Sequence, residues 1–371
     1  MTRIAIVGAN GQVGAEVCLR LRDVEGIEVV PVVRNASGSA FLRLNGMPCR
    51  HGRIVDPADA RSLIGDCDVV VNLVVSTTAI PRVDRDVNRG VVRGILAGAK
   101  PGAIIVFAST IMVYAPAMKF WFPETYGLEK LIAEKMLSWS CRKSNHPLFV
   151  FRIGHVLGDL QNITRKICSE IRDGKVALPH QGRIASNSVF TATIAEAIVL
   201  AASRSAAPGT YDLITLPQWT WLEVYEHYAS QLGTPLHLVD AADIHEPKLR
   251  SGSGGGMLGR SLRYLKNNSF FRERLTFLLA FLSAEQNCRI YLRYLQTRAR
   301  SEIEALRQSH KVESCAPDWR ELKVHPIAEL PDPATLMARY PLRCRFGFSR
   351  EDRREELGLL APNVLPNEPQ R

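Results

Sequence analysis

The chain has 371 residues, of which 46% are hydrophobic and 23% are charged, and this composition excludes a disordered or fibrous protein. Its apolar segments are too short to span a bilayer or to form a secretory signal peptide, and its eight cysteines form no CxxC pair, so we expect a cytoplasmic protein without a metal site. The net charge of +10 favours an acidic partner, and because no nucleic-acid-binding motif is present we expect a small molecule that carries phosphate.

Short apolar segments alternate with helical patterns through the first half of the chain. The predicted strands cover residues 3–7, 27–33, 68–75, 103–108 and 148–153, and the predicted helices cover residues 13–21, 87–99 and 126–139. This alternation predicts an α/β fold with a Rossmann-type doubly wound sheet of parallel strands. Because right-handed crossovers place the carboxyl ends of these strands at one edge, we expect ligands to bind along that edge.

A glycine-rich turn follows the first predicted strand and precedes the first predicted helix. The spacing of its three glycines is typical of a turn that binds the pyrophosphate of a dinucleotide. The helix that follows presents unpaired N–H groups and a favourable dipole to this anion. We therefore expect a nicotinamide dinucleotide to contact Gly8, Asn10, Gly11, Gln12, Val13 and Gly14.

Two polar residues beyond this turn bear on the adenosine half of the cofactor. Arg34 follows the second strand, at the position where an NAD site carries Asp or Glu for the ribose hydroxyls, and arginine can pair with the 2′-phosphate of NADP. NADP(H) is therefore favoured, and NAD(H) is the alternative if Arg34 is merely solvated. Asp56 could accept a hydrogen bond from the adenine amino group or cap the helix that begins at Pro57.

A tyrosine and a lysine lie four residues apart in the helix predicted at 126–139, so they share one face of it. A nearby ammonium group lowers the pKa of tyrosine by favouring its phenolate form. Tyr126 is therefore a candidate general acid/base, and Lys130 would also hold the nicotinamide ribose. Thr110 ends a buried strand at the same sheet edge and could donate to the reacting substrate oxygen, with Ser109 as the alternative.

Four motifs follow one another along the chain. They are GANGQVG at 8–14, FASTIMVY at 107–114, PETYGLEK at 123–130 and RIGHVLG at 152–158. Together they resemble the extended short-chain dehydrogenase/reductase family, of the NAD(P)-dependent epimerase/dehydratase type, and the likeness covers residues 3–235 and a short C-terminal segment. The resemblance implies that Thr110, Tyr126 and Lys130 are catalytic, and that Leu73, Val74 and Ile153 contact the cofactor.

The sequence departs from the family pattern at several positions near the expected nicotinamide. Asn72 replaces the first residue of a His-Leu-Ala-Ala motif, and Ile153 replaces a proline. The segment before Tyr126 is short and contains the aromatic residues 120–122, of which Phe122 is a candidate substrate contact. His155 could touch substrate or nicotinamide, and a hydrogen-bonded structural histidine is the alternative.

The family likeness divides the chain into three parts. Residues 1–155 are predicted to form the NAD(P)-binding Rossmann domain, and residues 156–239 together with 336–362 form a smaller C-terminal substrate-binding region. Residues 240–335 have no family equivalent and are predicted as a mainly helical insertion. This insertion could be a lid, a dimer contact or a membrane-surface element, since arginines along an amphipathic helix permit contact with anionic lipid, although a solvated basic helix also explains them.

The resemblance implies an enzyme that transfers hydride at a hydroxyl or carbonyl carbon, most often of a nucleotide sugar, with Tyr126 handling the proton. Epimerisation, dehydration and net reduction are all compatible with it. One alternative is an NADPH-dependent reductase of a non-sugar carbonyl intermediate, which the aromatic residues 120–122 favour. Another is a non-catalytic dinucleotide-binding sensor. We also expect a homodimer.

Overall fold

The computed structural model describes residues 1–36, 39–75, 81–114, 125–174, 176–239 and 324–344. The helical insertion predicted at 240–335 lies almost entirely outside these residues, and so does the aromatic segment 120–122 with Phe122. Within the described residues, no helix is both long enough and apolar enough to cross a membrane.

Parallel strands form the central sheet. In chain order, the strands among the described residues are β1 (Thr2–Val7), β2 (Ile27–Val33), β3 (Arg50–His51), β4 (Val69–Asn72), β5 (Ile104–Thr110), β6 (Leu148–Ile153), β7 (His155–Leu157), β8 (Ser188–Phe190) and β9 (Gly209–Leu213). Seven of them pair in the order β3-β2-β1-β4-β5-β6-β9, while β7 and β8 pair with each other. The order reverses between β1 and β4, and in such sheets the crevice beyond the carboxyl ends at that point binds ligands. The predicted doubly wound sheet is confirmed.

Helices cover both faces of this sheet. They are α1 (Gln12–Leu21), α2 (Ala40–Leu44), α3 (Pro57–Ile64), α4 (Pro81–Gly98), α5 (Thr125–Ser144), α6 (Asn162–Arg172), α7 (Thr191–Ala202), α8 (Trp221–Leu232) and α9 (Pro333–Arg339). Buried residues of α1, α2, α7 and α9 pack in one apolar cluster, and those of α3, α4 and α5 pack in another. Strand residues alternate between the clusters, as Ile4 and Ile6 do with Ala5 and Val7, because successive side chains of a strand point to opposite faces.

A third apolar cluster lies in the C-terminal part of the described chain. It joins α6 and α8 through residues such as Ile167 and Val224, together with Phe190 at the end of β8. In sequence this part falls in the predicted substrate-binding region 156–239, although β9 of the same region extends the central sheet beside β6. The two parts of the fold therefore share one sheet.

Candidate functional site

The turn between β1 and α1 is built for close approach to an anion. Gly8 has a φ of +89°, which favours glycine, and a Cβ on it would lie 3.1 Å from the backbone nitrogen of Val74. A Cβ on Gly14 would lie 2.3 Å from the carbonyl oxygen of Gly8, so only glycine lets α1 pack against the turn. Gly11 precedes α1 without a capping side chain, and the first turn of α1 has no acidic residue. The N–H groups of this helix end fit the pyrophosphate of a dinucleotide.

The residues after β4 form the neighbouring wall of this turn. Asn72 is buried, and its side-chain oxygen accepts from the backbone nitrogen of Val74 at 3.0 Å. This turn ends β4 at Asn72, three residues before the end of the predicted strand. Leu73 donates its backbone N–H to Val7 at 3.0 Å. Leu73 and Val74 thus lie against Gly8, at the reversal of strand order.

Two predicted adenosine contacts lie farther along the same edge. Arg34 is exposed directly after β2. Asp56 accepts from the backbone nitrogen of Ala58 at 2.9 Å and caps α3. The helix-capping alternative for Asp56 is therefore confirmed, and its contact with adenine stays a prediction.

A cavity of about 370 Å³ opens at the carboxyl edge beside the glycine turn. It lies between the start of α1, the end of β5, the connection from β6 to β7 and the start of α6. The described residues that line it are Gln12, Thr110, Ile111, Met112, Gly154, His155, Val156, Gln161, Asn162 and Ile163. The structure thus brings together the predicted residues Gln12, Thr110 and His155, and adds a wall at 161–163 that the motifs did not indicate.

Thr110 and Ser109 point to different sides of the sheet. Thr110 lines the cavity, and its hydroxyl oxygen accepts from the backbone nitrogen of Met112 at 3.3 Å, which leaves its proton for a ligand. Ser109 is buried and donates its hydroxyl to Glu134 of α5. Ser109 thus faces away from the cavity, because neighbouring residues of a strand face opposite ways, and its contact with substrate stays a prediction.

The side chain of Lys130 is anchored to β5 near the carboxyl edge of the sheet. Its Nζ donates to the carbonyl oxygen of Ala108 at 2.7 Å and lies 4.8 Å from the centre of the Phe107 ring. Burial lowers the pKa of Lys130 to about 8, and the charge of Glu134 acts in the opposite direction. Tyr126 lies in the first turn of α5, one helical turn before Lys130, and its side chain is outside the described part.

A chain of polar side chains continues from Glu134 across the sheet. Arg152 of β6 donates to Glu134 at 2.8 Å and to the hydroxyl of Tyr114 at 3.0 Å, and that hydroxyl donates to Asp212 of β9 at 2.5 Å. Sequence reasoning did not identify this network. Helical spacing gives the signal for Glu134, which is four residues after Lys130 and therefore on the same face of α5.

His155 lies at the far wall of the cavity. Its ring centre is 5.4 Å from that of Trp221, and its backbone nitrogen donates to Asn187 at 3.0 Å. A Cβ on Gly154 would lie 1.9 Å from the carbonyl oxygen of Asn187, which explains the glycine there. Ile153, the last residue of β6, pairs in register with Thr110 and therefore lies beside that residue at the edge of the sheet.

A buried carboxylate on α1 organises the wall at 161–163. Glu16 is fully buried and accepts from the backbone nitrogens of Asp159 and Leu160 and from the Gln161 side chain, at 3.2, 3.1 and 2.8 Å. It also accepts from Arg20 at 2.8 Å. The helix that would bind the cofactor is therefore bonded directly to a wall of the cavity, another feature that sequence reasoning missed.

The family model for the NAD-dependent epimerase/dehydratase family matches residues 4–213, which is more than half of the chain. The chain belongs to this family. The resemblance inferred from the motifs is confirmed, and membership in the epimerase/dehydratase family indicates an enzyme. Among curated proteins, none matches the sequence significantly.

Solved structures of epimerases and a dehydratase share the fold of this family member. The UDP-N-acetylglucosamine 4-epimerase of Bacillus cereus is 18% identical, with a TM-score of 0.53 over 70% of this chain and 92% of that one. The UDP-glucose 4-epimerase of Thermus thermophilus in complex with NAD is 18% identical, with a TM-score of 0.50 over 73% and 96%. The dTDP-glucose 4,6-dehydratase of Bacillus anthracis, also with NAD, is 16% identical, with a TM-score of 0.51 over 74% and 100%. At these identities the likeness shows the fold.

Proposed function

We propose that this protein is an NAD(P)-dependent oxidoreductase that acts at a hydroxyl or carbonyl carbon of a small molecule, with Tyr126 as the general acid/base. One observation carries the proposal. The cavity at the carboxyl edge joins the glycine turn, through Gln12, to the hydroxyl of Thr110. Lys130, one helical turn after Tyr126, is anchored to β5 just before that hydroxyl.

Each residue has a distinct role in the proposed reaction. When bound, the nicotinamide ring supplies the carbon that gives or takes hydride. Thr110 donates to the reacting oxygen and orients it. Tyr126 exchanges a proton with the same oxygen, and the Lys130 ammonium favours its phenolate. Ile153 borders the nicotinamide side, and His155 borders the substrate.

A nucleotide sugar is the leading substrate class, and its support comes from the enzymes that share the fold, whose names specify UDP- and dTDP-linked sugars. A non-sugar carbonyl compound is the second candidate, because a specific observation favours it. None of the described residues lining the cavity is Asp, Glu, Lys or Arg, and Ile111, Met112, Val156 and Ile163 give it apolar walls. Epimerisation, dehydration and net reduction need the same residues.

The preference for NADP(H) rests on Arg34 alone. Its exposed side chain, directly after β2, leaves it accessible to a 2′-phosphate. The two solved structures described above with a cofactor contain NAD, which gives no support to this preference. It stays a prediction that a direct comparison of the two cofactors would test.

Substitution of the tyrosine tests the proposed reaction. We expect Tyr126→Phe to lower turnover by about 10³-fold, because general acid/base catalysis contributes about this factor. Dinucleotide affinity should stay within about threefold, since Phe retains the ring. The assay offers NAD⁺, NADP⁺ and their reduced forms with UDP- and dTDP-hexoses and with apolar ketones, and follows absorbance of the reduced nicotinamide and product mass.

A second tyrosine variant provides the control. Tyr225 lies in α8, and its hydroxyl donates to Glu170. Tyr225→Phe should leave turnover close to that of the unaltered protein. Equal turnover in Tyr126→Phe and the unaltered protein would contradict the proposal. Dinucleotide binding without turnover on either substrate class would favour a sensor instead.

A further inference from the structure

Glu134 is a buried carboxylate placed next to the proposed catalytic lysine. It lies four residues after Lys130 and eight after Tyr126 on α5, so the three residues follow one face of the helix. Only 6% of Glu134 is exposed. Burying a carboxylate costs free energy of folding unless the group is paired and hydrogen-bonded. Glu134 therefore depends on its partners.

The partners of Glu134 come from two neighbouring strands. The hydroxyl of Ser109 in β5 donates to one oxygen. Arg152 of β6 donates to both oxygens, through Nε at 3.2 Å and Nη2 at 2.8 Å. A charge-assisted pair of this kind holds the carboxylate in one orientation.

Two groups of β5 also contact Lys130, and neither of these two carries a formal charge. They are the carbonyl oxygen of Ala108 and the face of the Phe107 ring. Arg152 of β6 reaches this region only through Glu134, and beyond Arg152 lie Tyr114 and Asp212 of the same network. Among the described residues, Glu134 is therefore the carboxylate placed to stabilise the ammonium of Lys130.

We propose that Glu134 is a positioning residue that, oriented by Ser109 and partly offset by the charge of Arg152, keeps Lys130 in its ammonium form and so keeps Tyr126 reactive. The step from Glu134 to Lys130 stands on the geometry of α5, β5 and β6. The step from Lys130 to Tyr126 rests on the proposed function. The two steps are tested by separate measurements.

The charges around Lys130 determine the direction in which Glu134→Gln should shift its pKa. Burial lowers the pKa of Lys130 to about 8, while Glu134 raises it. The ammonium is present below this pKa and is lost as the pH rises through it. Glu134→Gln removes the opposing charge and leaves Arg152 as an unpaired cation, so the pKa of Lys130 should fall by about one unit. A merely structural role predicts the opposite, because loosening that admits water raises the pKa towards its usual value.

The first measurement is the pKa of Lys130, from NMR titration of protein with ¹³C-labelled lysine side chains, the signal being assigned with Lys130→Arg. Glu134→Gln should lower this pKa, whereas Arg152→Gln should raise it, because Glu134 then acts without a competing cation. The opposite signs keep the proposal testable even if one variant fails to fold. An unchanged or raised pKa in Glu134→Gln, or a lowered pKa in Arg152→Gln, would overturn it.

Glu196 supplies a matched control. It is similarly buried in α7 and accepts from Arg339 at 2.7 Å and from the hydroxyl of Tyr340. Glu196→Gln should lower stability without moving the pKa of Lys130. A shift as large as that in Glu134→Gln would show a general effect of lost buried charge and would contradict the proposal.

The second measurement is the pH profile of turnover. In Glu134→Gln the loss of activity at alkaline pH should begin about one pH unit lower, because Lys130 loses its proton earlier. A lowered pKa without a shifted profile would overturn the step to Tyr126 and leave the step to Lys130 intact. If the protein binds no dinucleotide at all, the proposed function fails, and the pKa of Lys130 still decides the role of Glu134.

Discussion

Two glycines of the turn between β1 and α1 have different roles, one in packing of the helix and the other in the proposed binding of the dinucleotide. At Gly14 a Cβ would lie 2.3 Å from the carbonyl oxygen of Gly8, so Gly14→Ala must push the helix from the turn. We expect it to lower the free energy of unfolding by about 1–3 kcal/mol, the usual cost of overpacking. Urea denaturation followed by circular dichroism measures this change.

Gly11 is the matched comparison within the same turn. Its φ of −74° suits any residue, and a Cβ there would meet only the Gly8 carbonyl oxygen, at 3.3 Å. Gly11→Ala should therefore change stability by about 0.5 kcal/mol or less and still weaken dinucleotide binding, because the backbone can no longer approach the pyrophosphate closely. Equal stability losses in the two variants would show that the turn responds uniformly, contrary to this account.

For single residues, the sequence predicts a role when that role follows from the residue's place in a turn, at a strand end or at a helix cap. The glycine turn, Thr110 at a strand end and the alternative of Asp56 as a helix cap all depend on local spacing. Ser109 could not be separated from Thr110 in this way, because the choice depends on which face of β5 meets α5. The partners of Glu134 likewise depend on the neighbouring strand β6, which no local pattern specifies.

At the scale of elements, Glu16 joins α1 to the segment that begins α6. Its carboxylate accepts from Arg20, Gln161 and two backbone nitrogens, and Arg20 donates onward to the carbonyl oxygen of Tyr340 at 2.6 Å. Glu16→Gln would set an amide donor against these donors and leave Arg20 with the more distant, exposed carboxylate of Asp159 as its only anionic partner among the described residues. We expect a loss of about 3 kcal/mol in the free energy of unfolding, as for other broken buried pairs.

The neighbouring Asp159 tests whether the effect depends on burial. Its carboxylate lies 3.4 Å from Arg20, and 66% of its side chain is exposed. Asp159→Asn should cost less than about 1 kcal/mol, because exposed pairs contribute little. Hydrogen exchange should also increase at residues 158–163 in Glu16→Gln only. Unchanged exchange in that segment would contradict the role assigned to Glu16.

The elements themselves followed closely from apolar patterning. The strand predicted at 148–153 has the same bounds as β6, because its residues are apolar except Arg152 and most of them are buried in the sheet. β4 is shorter than predicted, since the Asn72 side chain forms a turn that a continuous apolar pattern conceals. The pair of Glu16 and Arg20 has helical spacing, but its contacts with Asp159 and Leu160 depend on a segment more than 140 residues away.

At the scale of the whole molecule, one parallel sheet carries both the proposed cofactor site and part of the substrate side. The glycine turn follows β1, Thr110 ends β5 and His155 follows β6, while β9 closes the sheet beside β6. Strand order places these residues along one carboxyl edge, which is why alternating strands and helices predicted the location of the site. The homodimer, the cytoplasmic location and the roles of the insertion stay predictions.

The proposed function requires that this edge bind a nicotinamide dinucleotide through the glycine turn. Isothermal titration of the purified full chain with NADPH and with NADH, beside the Gly11→Ala variant, tests it most directly. We predict one binding site per chain for at least one of the two, tighter for NADPH if Arg34 meets the 2′-phosphate, and at least tenfold weaker binding in Gly11→Ala, or about 1.4 kcal/mol. Absence of binding to either dinucleotide, or equal affinity in the variant, would contradict the account.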